Sequence, residues 1–315
     1  MRKKITVLGA GNVGASIAYT LAIRGLCSEI VMIDINKEKC EGEALDIYQG
    51  TPFTEPIKIL SGEYEDVANS DIVIVTIGIA RKPGQTRLDL AQTNVNIIKS
   101  VIPEVYKHAP NAVYLVVSNP VDIITYTLIK ACGIPEKQVI GSGTMLDTAR
   151  LRAILGEYLH INVNNVEAYV LGEHGDSSMV PWSLVNSVGL QFDEAVVCVS
   201  DICKNKYKLE KEYIEDEVKK AGGIVIAKKG ATYYAIAASV SAICEAIYQD
   251  LNSCLTVSSM IHDRYGINDV CLSLPFVVGI NGIRREINPP LREEEIAKLQ
   301  NSAKVLKNLI DQLDI

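Results

Sequence analysis

Ile5-Thr-Val-Leu8-Gly9-Ala-Gly11-Asn-Val-Gly14 sets a short apolar run directly against three glycines at G-x-G-x-x-G spacing. The run is short and rich in β-branched residues, so it reads as a buried strand, and a helix opens after it near Ala15. In such a turn the first glycine makes the tight bend. The second lets the backbone approach a pyrophosphate, and the third lets helix and strand pack closely. The helix N-terminus then offers free N–H groups to phosphate charge. The spacing alone is a weak signal, because a plain structural turn can carry it. Asp34 strengthens it by ending a second apolar run, Ile30-Val-Met-Ile33, twenty residues after Gly14. A carboxylate there accepts hydrogen bonds from ribose hydroxyls and repels a 2′-phosphate. Ile35-Asn-Lys37 places no Arg next to it, so NAD is expected over NADP.

Outward from this turn, Ile72–Ile77, Val113–Val117, Val139–Ile140 and Val166–Leu171 are further runs separated by helical patterns. Runs apolar at successive positions suit strands covered on both faces. Their alternation with helices predicts an α/β fold, a Rossmann-type doubly wound parallel sheet. The second half reads as a mixed α+β unit. Lys204 to Ala221 is charged, with Leu209, Tyr213 and Val218 at helical spacing, and predicts a solvated helix. Ala231 to Tyr248 is apolar but holds Thr232, Ser239, Ser241 and Glu245, which suits a buried or subunit-interface helix rather than a membrane span. Asn281-Gly282 signals a hairpin, and a last amphipathic helix runs from Leu291, after Pro289-Pro290. A chain of 315 residues suggests two domains at about 150 residues each. The boundary is expected near Gly141–Gly143, giving a dinucleotide-binding domain over 1–143 and a substrate domain over 144–315.

Composition narrows the function. A formal charge of −7 argues against nucleic-acid binding, which needs clustered Lys and Arg. Eight cysteines, none in CxxC spacing or beside a His at zinc-ligand spacing, read as reduced and mostly buried thiols, with no metal site. The apolar strand starts at Ile5, which leaves no room for a leader's apolar core ahead of it, and a cytoplasmic protein is expected.

Taking a hydride from an alcohol requires a base that removes the hydroxyl proton, a task suited to His. Of the four His, His174 stands out in Leu171-Gly-Glu-His-Gly-Asp-Ser177, after a strand-like run and between two glycines. A lone loop His is more often structural. Asp147, in Thr144-Met-Leu-Asp-Thr-Ala-Arg150, is a possible partner that would fix the imidazole tautomer and stabilise the imidazolium. Asp147 and Arg150 are three apart and share a helix face, which is equally the signature of an ordinary helical ion pair. The planar donor array of Arg150 alternatively fits a substrate carboxylate. Ala80 to Asp89, after the third run, is basic and turn-prone through Pro83-Gly84. It reads as a lid that delivers Arg87 to a reacting carbonyl on closing, or else as a solvated basic loop.

Together with Val117-Ser-Asn-Pro-Val-Asp122, these segments resemble the lactate/malate dehydrogenase superfamily along nearly the whole chain, and most closely its lactate branch. The resemblance implies that His174 exchanges the proton and Asp147 holds it, while Arg87 polarises the C2 oxygen. Arg150 would bind the substrate carboxylate, and Asn119 and Thr232 would line the nicotinamide and substrate site. Gly9, Gly11, Asn12, Val13, Gly14, Asp34, Gly78, Asn119 and Ser142 would hold the NAD. A small-molecule 2-hydroxy acid substrate and a homotetramer, or a dimer, follow from the same resemblance. A purely NAD-binding sensor would not need His174, Asp147, Arg150 and Arg87 together.

Two positions depart from the lactate pattern. The lid position six before Arg87, which reads the group on C3, is typically Gln in lactate enzymes and Arg in malate enzymes; here it is Arg81. A guanidinium closed over a methyl group would be desolvated without a counter-charge, at a cost of several kcal/mol on the order of magnitude, whereas a second carboxylate would pair with it. Glu173, Trp182-Ser183 and Thr232 point back to lactate, so malate stays open as the alternative. Many bacterial relatives bind fructose 1,6-bisphosphate through an Arg and a His. Arg152 matches the Arg, but Glu167 occupies the His position and would repel a phosphate.

Overall fold

The computed structural model describes residues 3–79, 86–199 and 209–315. The opening stretch forms β1 (Lys4–Leu8) and α1 (Asn12–Ile23), the helix starting three residues earlier than its apolar pattern suggests. After it come β2 (Glu29–Ile33), α2 (Lys37–Gln49), β3 (Lys58–Ser61), β4 (Ile72–Val75) and α3 (Arg87–His108). Then follow β5 (Val113–Val116), α4 (Val121–Lys130), β6 (Val139–Gly141) and α5 (Met145–Tyr158). All four residues of β4 and of β5 are buried, as strands covered by helices on both faces must be. β3 is missing from the apolar runs because it is a four-residue edge strand that opens on an exposed Lys58.

The remaining elements are β7 (Val166–Glu167), β8 (Asn186–Ser187), β9 (Leu190–Gln191), α6 (Phe192–Val199), α7 (Lys211–Lys229) and α8 (Tyr234–Tyr248). They end with β10 (Ser253–Ile261), β11 (Val270–Gly279), β12 (Gly282–Glu286) and α9 (Glu293–Ile310). Among the described residues, nine strands make one sheet in the order β12-β11-β10-β6-β5-β4-β1-β2-β3. The six strands from β6 to β3 are parallel. Strand order reverses at β1 and β4, which opens a crevice at their carboxyl ends where the glycine turn lies.

The sheet does not stop with the parallel strands. β10 pairs antiparallel with β6 through Ser258 and Gly141, and β11 and β12 extend it, joined by a turn at Ile280-Asn281, one residue before the expected Asn281-Gly282, because Gly282, at φ +92°, already pairs with Gly279 as the first residue of β12. The outer edge of β6 is thereby taken. That explains why Val166–Leu171 adds no further strand to this sheet: Val166–Glu167 joins a separate three-stranded sheet with β8 and β9, and Leu171 makes only an isolated antiparallel bridge with Met179. The main apolar core accordingly runs from Ile5 to Ile310, and a second, smaller one gathers Leu151, Leu155, Val166, Phe192, Ile214 and Val218. The helix expected over Ala231–Tyr248 buries Val240, Ile243, Cys244 and Ile247 in the main core, so most of its apolar face serves this chain rather than an interface.

No helix among the described residues is long and apolar enough to cross a membrane. Of the described cysteines, Cys27, Cys40, Cys244 and Cys271 are buried, and burial pushes the Cys27 thiol up to about 12. Among the described residues no cluster of His, Cys, Asp and Glu could hold a metal ion.

Candidate active site

The glycine turn has the shape its spacing implies. Gly9 has φ +101°, and a Cβ on Gly14 would lie 1.8 Å from the Gly9 carbonyl oxygen, so helix and strand touch there. A Cβ on Gly11 would meet nothing within 4 Å, which leaves open space where a pyrophosphate would approach. No side chain caps α1, and the N–H groups around Asn12 and Val13 stay available for an anion. Asp34 follows β2 and closes over this turn: its Oδ2 accepts from the Ala10 N–H at 2.7 Å and its Oδ1 from Asn36 N–H at 2.8 Å. The donors and open space thus fit a dinucleotide.

Asn94 was not singled out by the sequence, and nothing local marks it. Buried on α3, it accepts from the Ile79 N–H at 2.9 Å and donates to the Asn119 carbonyl at 2.7 Å. It therefore ties together the loops after β4 and β5, which carry Gly78 and Asn119. Asn119, Ser142, Thr232 and His174 all line one cavity of about 250 Å³ at the carboxyl edge of the sheet.

In that cavity the distant candidates converge. His174 Nδ1 lies 2.6 Å from Asp147 Oδ2, across 27 residues of sequence, while Arg150 Nη1 donates to Asp147 Oδ1 at 2.9 Å. The helical-pair reading of Asp147 and Arg150 is therefore correct but incomplete, because the same carboxylate also holds the His. An ionised carboxylate only accepts, so Nδ1 carries its hydrogen and Nε2 is left to exchange a proton. Burial favours neutral imidazole, but the Asp147 charge and hydrogen bond outweigh it, and the His174 pKa is raised. Burial likewise disfavours the Asp147 carboxylate, yet His174 and Arg150 hold its pKa below the usual value.

Asp122, at the end of the Val117–Asp122 motif, acquires a part that the motif alone did not suggest. It is buried in the first turn of α4, accepts the His174 backbone N–H at 2.9 Å and takes the Ser258 hydroxyl at 2.6 Å. Two carboxylates thus hold His174, one at the ring and one at the backbone. Burial pushes the Asp122 pKa up, against the hydrogen bonds from Ser258 and His174.

Arg87 is not in a loop. It opens α3, whose N-cap Thr86 forms a reciprocal capping pair with Asp89. Its guanidinium pairs with Glu173, a buried carboxylate that also accepts from Ser177, and Arg87 is not among the residues lining the cavity. Arg81 and the rest of the expected lid up to Gln85 lie outside the described residues.

The chain matches two family models: the lactate/malate dehydrogenase NAD-binding domain over residues 3–141, and the lactate/malate dehydrogenase alpha/beta C-terminal domain over 144–314. It is 50% identical over 310 residues to L-lactate dehydrogenase 1 of Clostridium acetobutylicum, covering 98% of each chain. It is 48% identical to the L-lactate dehydrogenase of Acetivibrio thermocellus, covering 99% of this chain and 98% of that one. The solved structure of the minor L-lactate dehydrogenase from Enterococcus mundtii superposes with a TM-score of 0.93 at 37% identity, over 100% of this chain and 99% of the other. With the crevice at the sheet's reversal point, the NAD-shaped glycine turn and the His–Asp–Arg cluster, these likenesses have one reading: the chain belongs to the lactate/malate dehydrogenase family.

Proposed function

We propose that the chain interconverts L-lactate and pyruvate by NAD-dependent hydride transfer. The observation that carries this reading is the His174–Asp147–Arg150 cluster in the cavity beside Asn119, where one carboxylate holds both a proton carrier and a carboxylate-binding cation. Bound NAD supplies the hydride acceptor for lactate and, when reduced, the donor for pyruvate. His174 Nε2 takes the C2 hydroxyl proton in lactate oxidation and returns it in pyruvate reduction. Asp147 stabilises the imidazolium formed in between. Arg150 grips the substrate carboxylate with the part of its guanidinium that faces the cavity. Arg87, whose partner Glu173 directly precedes His174, is assigned to polarise the C2 oxygen. Gly9, Gly11, Asn12, Val13, Gly14, Asp34 and Gly78 are assigned to the cofactor, as are Ser142 and Asn119, with Asn119 and Thr232 bordering the substrate.

The relatives named L-lactate dehydrogenase favour lactate over malate for this chain, against the hint from Arg81. Specificity constants for pyruvate and oxaloacetate, measured with NADH, test the choice: pyruvate is expected to be the better substrate. An equal or larger constant for oxaloacetate would overturn the lactate reading.

Residues 1–143 are proposed as the NAD-binding domain and 144–315 as the substrate domain of a cytoplasmic homo-oligomer, a tetramer or a dimer. Regulation by fructose 1,6-bisphosphate is expected to be weak. Arg152 is engaged with this chain's own groups, through Nε to the Ala168 carbonyl at 3.0 Å and Nη2 to Glu167 Oε2 at 3.8 Å, and it stacks over Tyr169. Adding the bisphosphate should leave the half-saturating pyruvate concentration within about twofold, and a large decrease would refute this.

A further inference from the structure

The preference for NAD rests on Asp34 and on the lack of an Arg beside it, yet a cation stands three residues further on. Lys37 is the first residue of α2, and the chain between the two folds back over the carboxylate, with the Asn36 N–H on Asp34 Oδ1. In dinucleotide-binding folds a basic side chain near the end of this strand accommodates an adenosine 2′-phosphate. Lys binds phosphate as a point charge. Asp34 and Lys37 thus pull in opposite directions: the carboxylate repels a 2′-phosphate and the ammonium would attract it.

The ammonium of Lys37 is already taken. It pairs with Glu63, the second residue past β3. β2 and β3 run parallel with Met32 opposite Ser61, and the Gly62 N–H continues the register onto the Met32 carbonyl at 2.9 Å. Two residues further along each strand come Asp34 and Glu63, so the two carboxylates stand level at the carboxyl edge of the sheet. The next carboxylate, Asp66, accepts the Glu63 N–H at 2.9 Å, which leaves the Glu63 side chain to face Lys37. Glu63 raises the Lys37 pKa, through the hydrogen bond first and then through its charge, with a smaller contribution from Glu41. Both side chains are exposed, and an exposed ion pair contributes little to stability. What the pair changes is the charge beside the ribose site. With Glu63 that edge carries one negative charge in excess, and without it Lys37 would balance Asp34.

We propose that Glu63 is a specificity-determining residue for the cofactor: by holding Lys37 it denies a 2′-phosphate its cation, and so keeps NADP and NADPH from the ribose site. Asp34 excludes the phosphate at the ribose itself, and Glu63 disarms the one basic side chain in the turn that follows. This rests on the proposed assignment of Asp34 to the cofactor.

The test compares kcat/KM for NADPH and for NADH, at saturating pyruvate, in the wild type, Glu63→Gln, Asp34→Ser and the Asp34→Ser/Glu63→Gln double variant. The NADPH-to-NADH ratio is expected to rise about two- to fivefold in Glu63→Gln, the size of one exposed charge contact. A similar factor should separate the double variant from Asp34→Ser. Adding Lys37→Gln to the double variant should cancel that gain, because the released ammonium is what meets the phosphate. If the pair only pins α2 to the end of β3, Glu63→Gln lowers the melting temperature and leaves the ratio unchanged in both backgrounds, which would overturn the proposal. A gain that survives Lys37→Gln would also overturn it, since Glu63 would then act by its own repulsion and not through the lysine. An Asp34→Ser variant whose ratio does not move would instead overturn the assignment of Asp34, and the proposal with it.

Discussion

Replacing His174 with Asn is expected to lower kcat by about 10²- to 10⁴-fold in both directions, the range that positioned proton transfer contributes. Asn keeps a polar group near Asp147 but cannot exchange a proton. The direction of the pH dependence follows from the raised His174 pKa. Pyruvate reduction needs imidazolium, so its kcat/KM holds at low pH and declines as pH rises through the raised value. Lactate oxidation needs neutral imidazole and rises through the same value. Asp147→Asn removes the charge and hydrogen bond that raise this pKa, while the burial that lowers it remains. The declining limb of pyruvate reduction should therefore move to lower pH, together with a loss of rate. Rate–pH profiles of the two variants check both effects. An unmoved limb in Asp147→Asn would show that this carboxylate does not control the proton carrier.

Arg150→Gln is expected to reduce kcat/KM for pyruvate by about 10²- to 10⁴-fold, chiefly through KM. Two charge-assisted hydrogen bonds to a carboxylate contribute roughly 1.5 to 3 kcal/mol each. Gln keeps much of the length and loses both the charge and the fork. The variant has a second signature, because the Arg150 cation opposes the protonation of His174. Its removal should shift the declining limb to higher pH, opposite to the shift in Asp147→Asn. The opposed pH shifts show that both charges act on His174, and the rise in KM is what separates a carboxylate-binding cation from a merely structural ion pair. A KM for pyruvate close to that of the wild type would place the substrate carboxylate elsewhere.

The two expectations differ in how they arise from sequence. Asp147 and Arg150 were visible as a pair because three residues along a helix share one face, a rule of local geometry. Chemistry offered Asp147 only as a possible partner of His174, and the resemblance was needed to join them, since no local spacing connects residues 27 apart. Asp122 lay inside a quoted motif, yet its bond to the His174 backbone depends on how α4 packs against β10 and the loop after β7. Asn94 had no signal, because a buried polar side chain looks the same in sequence whether it spans two loops or faces water, and Glu173, read only as a mark of the lactate branch, gave no hint of its pairing with Arg87. Arg87, expected in a lid, instead opens α3, because the reciprocal Thr86–Asp89 cap starts the helix at that residue.

By itself the sequence determined the parts whose physics is local. The apolar runs called for strands covered on both faces, the three glycines called for the tight turn, and Asp34 at the end of its strand set a carboxylate over that turn. The tertiary structure alone decided the parts that depend on what meets across the core. It extended the parallel sheet with β10 to β12, which left no edge for Val166–Leu171. It brought His174 onto the Asp147 carboxylate and set Arg87 against Glu173. The physical reason is that periodicity and turn chemistry are set within a few residues. The partner of a buried charge and the volume left beside it are set only when distant elements close-pack.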